Sequence, residues 1–211
     1  MTTPIDLVAV GASWGGLAAL KRVLEPLPRG FPAAVVIAQH RQAGADGRFA
    51  ELLAAHCALE VAEADDKQEL LAGVVLLAPP DYHLLVEPGA VALSVDEPVH
   101  FSRPSIDVLL HSAADAYGDR AAGVVLTGAN ADGAMGLAHI AARGGTAIVQ
   151  DPETAERREM PEAATAATPG ARVMVLDLCR GRDYAEEAAL RSVVAVVGQG
   201  TSRRRYPRSS A

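Results

Sequence analysis

The chain has 211 residues, half of them hydrophobic but only 4% aromatic, so a single large domain can bury a core of Ala, Val and Leu without disulfide or metal staples. The net charge of −7 excludes a general nucleic-acid binder, which needs an electropositive face, and no apolar run approaches the roughly 20 residues that cross a bilayer. Cys57 and Cys179 lie far apart without ligand or redox spacing, and residues 1–6 lack the basic-then-apolar pattern of a signal peptide. The expectation is a soluble, cytoplasmic protein with reduced thiols, no membrane insertion and no cofactor.

In chain order, residues 7–10 read as a buried strand and 16–24 as a helix, followed by strand 34–38, helix 48–56 and strand 74–78. Residues 84–86 and 90–95, split by Glu87-Pro88-Gly89, read as a β-hairpin. Helix 106–117, strand 124–126, helix 134–143, strand 147–150, helix 161–167 and strand 173–176 continue the alternation. A last helix is expected over 183–197, which closes a domain of residues 1–197. The tail 198–211 carries Arg203, Arg204, Arg205 and Arg208 without an apolar pattern and is expected to be solvated and disordered. Continuous apolar strands alternating with helices predict an α/β fold, a doubly wound and largely parallel sheet with the hairpin appended.

In such a sheet, sites form outside the carboxyl ends of the strands. Three of those ends carry chemistry. The first strand runs into Gly11-Ala12-Ser13-Trp14-Gly15-Gly16, the second into Gln39-His40, and strand 124–126 into Thr127-Gly128-Ala129-Asn130-Ala131-Asp132-Gly133. A hydroxyl, an imidazole and a carboxylate on one edge are the nucleophile, base and orienting acid of acyl transfer. Each also has an ordinary explanation. Ser13 could cap the next helix, His40 could be a buried structural histidine, and Asp132 could serve a turn. The glycine-rich turn could bind a dinucleotide phosphate, but it lacks the Gly-x-Gly pair, and the second strand ends in Gln39-His40 rather than an acid. The coincidence of all three at matching strand ends favours a serine hydrolase.

These segments resemble a known family. The Ser13 and His40 turns, Ala78-Pro79-Pro80-Asp81-Tyr82-His83-Leu84, Arg103-Pro104-Ser105-Ile106-Asp107-Val108-Leu109, Leu126-Thr127-Gly128, Asp132-Gly133-Ala134, Gly144-Gly145, Gln150-Asp151-Pro152 and Met160-Pro161 are similar to blocks of the catalytic domain of the chemotaxis receptor protein-glutamate methylesterases, the CheB family. The blocks keep the family's order over residues 5–178. The resemblance implies that Ser13 is the nucleophile, His40 the general base and Asp132 the residue that orients it. It also implies the substrate, γ-methyl glutamyl esters on the cytoplasmic helices of chemoreceptors, and in many relatives glutamines that are deamidated. Backbone amides of the Ser13 turn and the 127–132 loop would supply the oxyanion site.

The sequence departs from the family in three places. Trp14 stands where a small residue usually follows the nucleophile, and is expected to narrow or reshape the entrance. Ala129-Asn130 replaces Met-Gly in the loop that, with Gly128, frames the oxyanion site and acyl pocket. Finally, the catalytic unit begins near Ile5, so a stand-alone domain is expected, regulated by a separate protein or by expression rather than by its own receiver domain.

Other polar residues have two readings each. Arg103 lines the cleft and attracts an acidic receptor helix, or pairs with a local acid. His83 fastens the hairpin, or stands beside the site. His56, His100, His111 and His139 show no ligand spacing, so no metal site is expected. Two other readings remain open at this point: a partner-binding scaffold that lost turnover, and a hydrolase of a different ester.

Overall fold

The computed structural model describes residues 3–42, 44 and 48–176; Cys179, the helix expected over 183–197 and the basic tail lie outside the described residues. The first half supplies strands β1 (Leu7–Ala12), β2 (Ala34–Gln39), β3 (Glu60–Glu63) and β4 (Val74–Leu77). An antiparallel hairpin of β5 (His83–Glu87) and β6 (Ala90–Ser94) follows, then β7 (Ala121–Val125), β8 (Thr146–Gln150) and β9 (Arg172–Met174). Seven strands form one sheet in the order β3-β4-β2-β1-β7-β8-β9, and every pairing in it is parallel.

The central strands are buried along their whole length because helices cover both faces. On one face, Val8, Val10, Val35 and Ile37 pack with Leu20 and Val23 of α1 (Gly16–Leu24) and Leu53 of α2 (Arg48–Ala54). On the other, Leu7, Ala9 and Val36 meet Leu109 and Leu110 of α3 (Ile106–Tyr117) and Leu137 and Ile140 of α4 (Ala134–Ala142). Met160 and Ala164 of α5 (Glu159–Ala167) join this second cluster, as do Leu84, Val86 and Val91 of the hairpin. No helix among the described residues is long and apolar enough to cross a membrane.

Most element ends shift by one or two residues from the sequence reading, and three differences have a clear physical reason. β3 is absent from that reading because Glu-Val-Ala-Glu has no apolar run; its acids suit an edge strand that must not pair further. β7 begins at Ala121 rather than residue 124, since Ala-Ala-Gly carries little strand propensity and is extended by its neighbours β1 and β8. α5 begins at Glu159, two residues before Pro161, which sits in the first turn where a missing N–H costs nothing.

The order matters for function. From β1 the chain moves to β2 on one side, and only later places β7 on the other. The reversal opens a crevice beyond the carboxyl ends of β1 and β7, where doubly wound sheets bind ligands.

Candidate active site

Ser13 leaves β1 with its amide on the carbonyl of Thr127 (2.9 Å) and its carbonyl accepting from Gly16 N (2.9 Å). The helix cap of α1 is Gly15, not Ser13. Gly15 has φ +77°, and a Cβ there would meet Glu156 Oε2 at 2.7 Å, so both conformation and space call for glycine. The Ser13 hydroxyl is thereby free of capping and lies 3.1 Å from His40 Nδ1. His40 follows β2, its amide on Ala12 O (3.0 Å), and its Nε2 lies 2.8 Å from Asp132 Oδ2. Gln39, buried between them, donates to Ser13 O (2.8 Å) and to His40 O (3.0 Å), so one carboxamide ties the backbones of both.

Asp132 is fully buried and does not cap α4, whose N-cap is Gly133. Instead it faces the N-terminus of α3. Its Oδ2 accepts from Ile106 N (2.7 Å), and its Oδ1 from Ser105 Oγ (2.9 Å) and Asp107 N (2.9 Å). Burial pushes the carboxyl up, but the bonds from His40, Asp107 N and Ile106 N outweigh it and hold Asp132 below the usual carboxylate range. An ionised Asp132 requires the proton on His40 Nε2, which leaves Nδ1 as the bare acceptor toward Ser13.

Behind this carboxylate, His83 joins the hairpin to α3. Its Nδ1 accepts from Ser105 N (3.1 Å) and its Nε2 donates to Glu97 O (3.2 Å), so it fastens the loop that carries Ser105. Asp107 accepts from Gly136 N (2.7 Å) and faces His100 at 3.3 Å. His100, Asp107 and Asp132 each bring one potential ligand atom within 4.8 Å of the others, a cluster that sequence spacing does not reveal. The Asp132 oxygens already accept four hydrogen bonds, which makes them poor metal ligands.

The far wall is the segment before α5, zipped onto the loop after β7. Thr127 Oγ1 donates to Trp14 O (2.9 Å) and accepts from Arg157 N (2.9 Å). Gly128 N donates to Arg157 O (3.1 Å), so this amide is not available to a ligand. A Cβ on Gly128 would overlap Met160 Sδ and lie 2.8 Å from Ser13 Cβ; its contribution is room beside the hydroxyl. The N–H groups of Trp14 and Ala129, by contrast, find no acceptor among the described residues. Asn130 Oδ1 accepts from Asp132 N (3.1 Å) and so stiffens the loop.

The Trp14 side chain does not plug the entrance. It is mostly exposed, with Nε1 donating to Glu156 Oε1 (2.9 Å) and the Arg157 guanidinium over its ring at 5.4 Å. A cleft of about 440 Å³ opens beside it, lined by Ser13, Gly16, Lys21, Gln39, Phe49 and Glu156 among others. Arg103 takes the local role of its two readings, donating to Asp81 Oδ1 (2.7 and 3.0 Å) and to the carbonyls of Val95 (2.7 Å) and Asp96 (3.0 Å). Sequence reasoning placed Thr127 in the oxyanion loop but missed the part its hydroxyl plays, and it missed Ser105 and Glu156 as parts of this site. Only the Asp132–Ser105 partnership had a trace, in the Arg-Pro-Ser block before α3.

Residues 8–180 match the family model described as CheB methylesterase. A Leptospira interrogans protein provisionally named protein-glutamate methylesterase/protein-glutamine glutaminase is 46% identical over 164 residues, 77% of this chain and 85% of that one. The Bordetella parapertussis protein-glutamate methylesterase/protein-glutamine glutaminase is 45% identical over 175 residues, and the match spans 81% of this chain but half of that protein. The crystal structure of the Thermotoga maritima CheB methylesterase catalytic domain superposes with a TM-score of 0.80 at 29% identity, covering 93% of this chain and all of that one. The chain belongs to the CheB methylesterase family.

Proposed function

We propose that this protein hydrolyses γ-methyl glutamyl esters on the cytoplasmic helices of chemoreceptors, and deamidates glutamines there, with Ser13, His40 and Asp132 as its catalytic residues. The observation that carries the reading is the continuous chain from Ser13 Oγ through His40 Nδ1 and Nε2 to Asp132 Oδ2, with links of 3.1 and 2.8 Å. Family membership supports the substrate class.

The steps follow from the proton positions. His40 Nδ1 takes the Ser13 proton as Oγ attacks the ester carbonyl, and Asp132 stabilises the imidazolium that forms. The tetrahedral oxyanion is held by the amides of Trp14 and Ala129, which have no other acceptor among the described residues. His40 returns its proton to the leaving methoxide, methanol departs, and an acyl-serine remains. Water then loses a proton to His40, attacks the acyl carbon and releases the glutamate carboxylate as Ser13 regains its proton. With glutamine, the leaving group is ammonia. The imidazole is turned the other way round from the chymotrypsin arrangement, in which Nε2 faces the serine; either nitrogen serves once the carboxylate fixes the tautomer.

Purified protein incubated with methyl-esterified receptor should release methanol. Ser13→Ala should lower that rate by a factor of about 10³ or more while leaving the thermal transition in place. Release by Ser13→Ala within tenfold of wild type would exclude a serine nucleophile.

A further inference from the structure

The cleft beside Ser13 holds a carboxylate that the proposed mechanism does not use. Glu156 reaches it from the loop before α5, with Oε1 on Trp14 Nε1 at 2.9 Å and Oε2 against Gly15, where even a methyl group would lie only 2.7 Å away. Its place is fixed from three sides. The backbone of Arg157 is bound to Thr127 and Gly128, the indole it grips is stacked under the Arg157 guanidinium, and Gly15 leaves the space it fills. Glu156 makes no ion pair among the described residues. Lys21 lies on the same cleft, but its Nζ is directed 3.5 Å from His56 Nε2.

We infer that Glu156 is a specificity-determining residue that sorts side chains in the Ser13 cleft by charge, admitting the neutral glutamyl ester or glutamine and expelling the anionic glutamate product. The inference rests on Ser13 being the nucleophile of this cleft, since only then does the product carboxylate form there. Hydrolysis turns a neutral side chain into an anion in a cleft that Glu156 already lines with a carboxylate. A neutral group feels that charge weakly; the carboxylate is repelled by it. In a wet cleft, with like charges several ångströms apart, the expected discrimination is about three- to tenfold, and salt screens it. A site that rejects the free acid is not clogged by glutamates that carry no ester.

Trp14 is the only tryptophan in the sequence and touches Glu156, so its fluorescence reports on the cleft. In a Ser13→Ala background, two receptor peptides identical except for one glutamine or glutamate would be titrated at low and high salt. The glutamate peptide should bind about three- to tenfold more weakly, and the difference should vanish on adding Glu156→Gln or about 1 M salt. Glu156→Asp, which keeps the charge, should retain most of it. Equal affinities at low salt, a preference that survives Glu156→Gln, or a preference indifferent to salt would each overturn the inference. If Glu156→Gln destabilises the fold, the salt titration with Glu156 in place decides alone. Failure of wild-type protein to release methanol would instead sink the proposed activity, which this binding measurement does not read.

Discussion

Asp132 and Asp107 stand side by side beneath the site, both buried, yet their carboxyls shift in opposite directions. Asp132 gathers donors from His40, the Ser105 hydroxyl and two amides at the start of α3. Asp107 has the amide of Gly136 and, on its outer side, the half-exposed His100. Desolvation raises both carboxyls. At Asp132 the hydrogen bonds win and its carboxyl falls below the usual range; at Asp107 burial wins, helped by the neighbouring Asp132 charge, and its carboxyl rises. Depth therefore does not decide which way a buried acid shifts. The number of donors aimed at it does, and here they are concentrated on the acid that faces an imidazole.

The most severe way to break the contrast is Asp132→Asn. Each Asp132 oxygen already faces N–H or O–H donors, so the new NH₂ must point at one whichever way the amide turns. The proposed mechanism loses the carboxylate that fixes the His40 tautomer as well. We expect kcat to fall by about 10³–10⁴ with little change in KM, together with a stability loss of about 1–3 kcal/mol. Steady-state methanol release and urea unfolding would read the two effects. A loss of activity under tenfold would mean that the donor-rich pocket does not serve His40.

A milder change moves Asp132 toward the condition of Asp107. Ser105→Ala removes the hydroxyl that donates to Asp132 Oδ1 and accepts from Val108 N as the cap of α3. Losing a cap and a charge-assisted bond should cost about 1–2 kcal/mol of stability and about tenfold in kcat. Ser105→Thr keeps the hydroxyl and should recover most of the activity. If both variants matched wild type in rate, the bond would matter to folding alone.

The contrast also marks what the sequence could reveal. Ser13, His40 and Asp132 are legible because each lies in a loop that leaves the carboxyl end of a strand, and strands announce themselves as unbroken apolar runs such as Ala34-Val35-Val36-Ile37-Ala38. α3 is legible to the residue, since Pro104 and Ser105 mark its start and Gly118 its end. The donors that distinguish Asp132 from Asp107 are not. Ser105 and Asp132 lie 27 residues apart, and although the Arg-Pro-Ser block marks Ser105, no spacing in either segment says that they touch. Glu156 was hidden for the same reason, because its loop is shaped by hydrogen bonds to Thr127, 30 residues away. β3 escaped because an edge strand of acids lacks the pattern that betrays buried ones.

The smallest expected effect is the sharpest test of the contrast, because it depends on sign rather than size. Asp132 has a folded pKa below its unfolded value, so its contribution is present above the ordinary carboxylate range and is lost as pH falls through the folded value. Asp107 runs the other way. Its folded form keeps a proton that the unfolded chain has given up, so stability falls as pH rises from the ordinary range through the raised value. Asp107→Asn removes this penalty while leaving an oxygen for Gly136 N. Relative to wild type, the variant should gain stability between about pH 4 and pH 8, by less than about 1 kcal/mol because Gly136 and the exposed His100 already offset part of the burial. Urea unfolding of both proteins across that range measures the difference directly. A variant that loses ground to wild type as pH rises would mean that Asp107 is held ionised as Asp132 is, and that donor number does not separate the two.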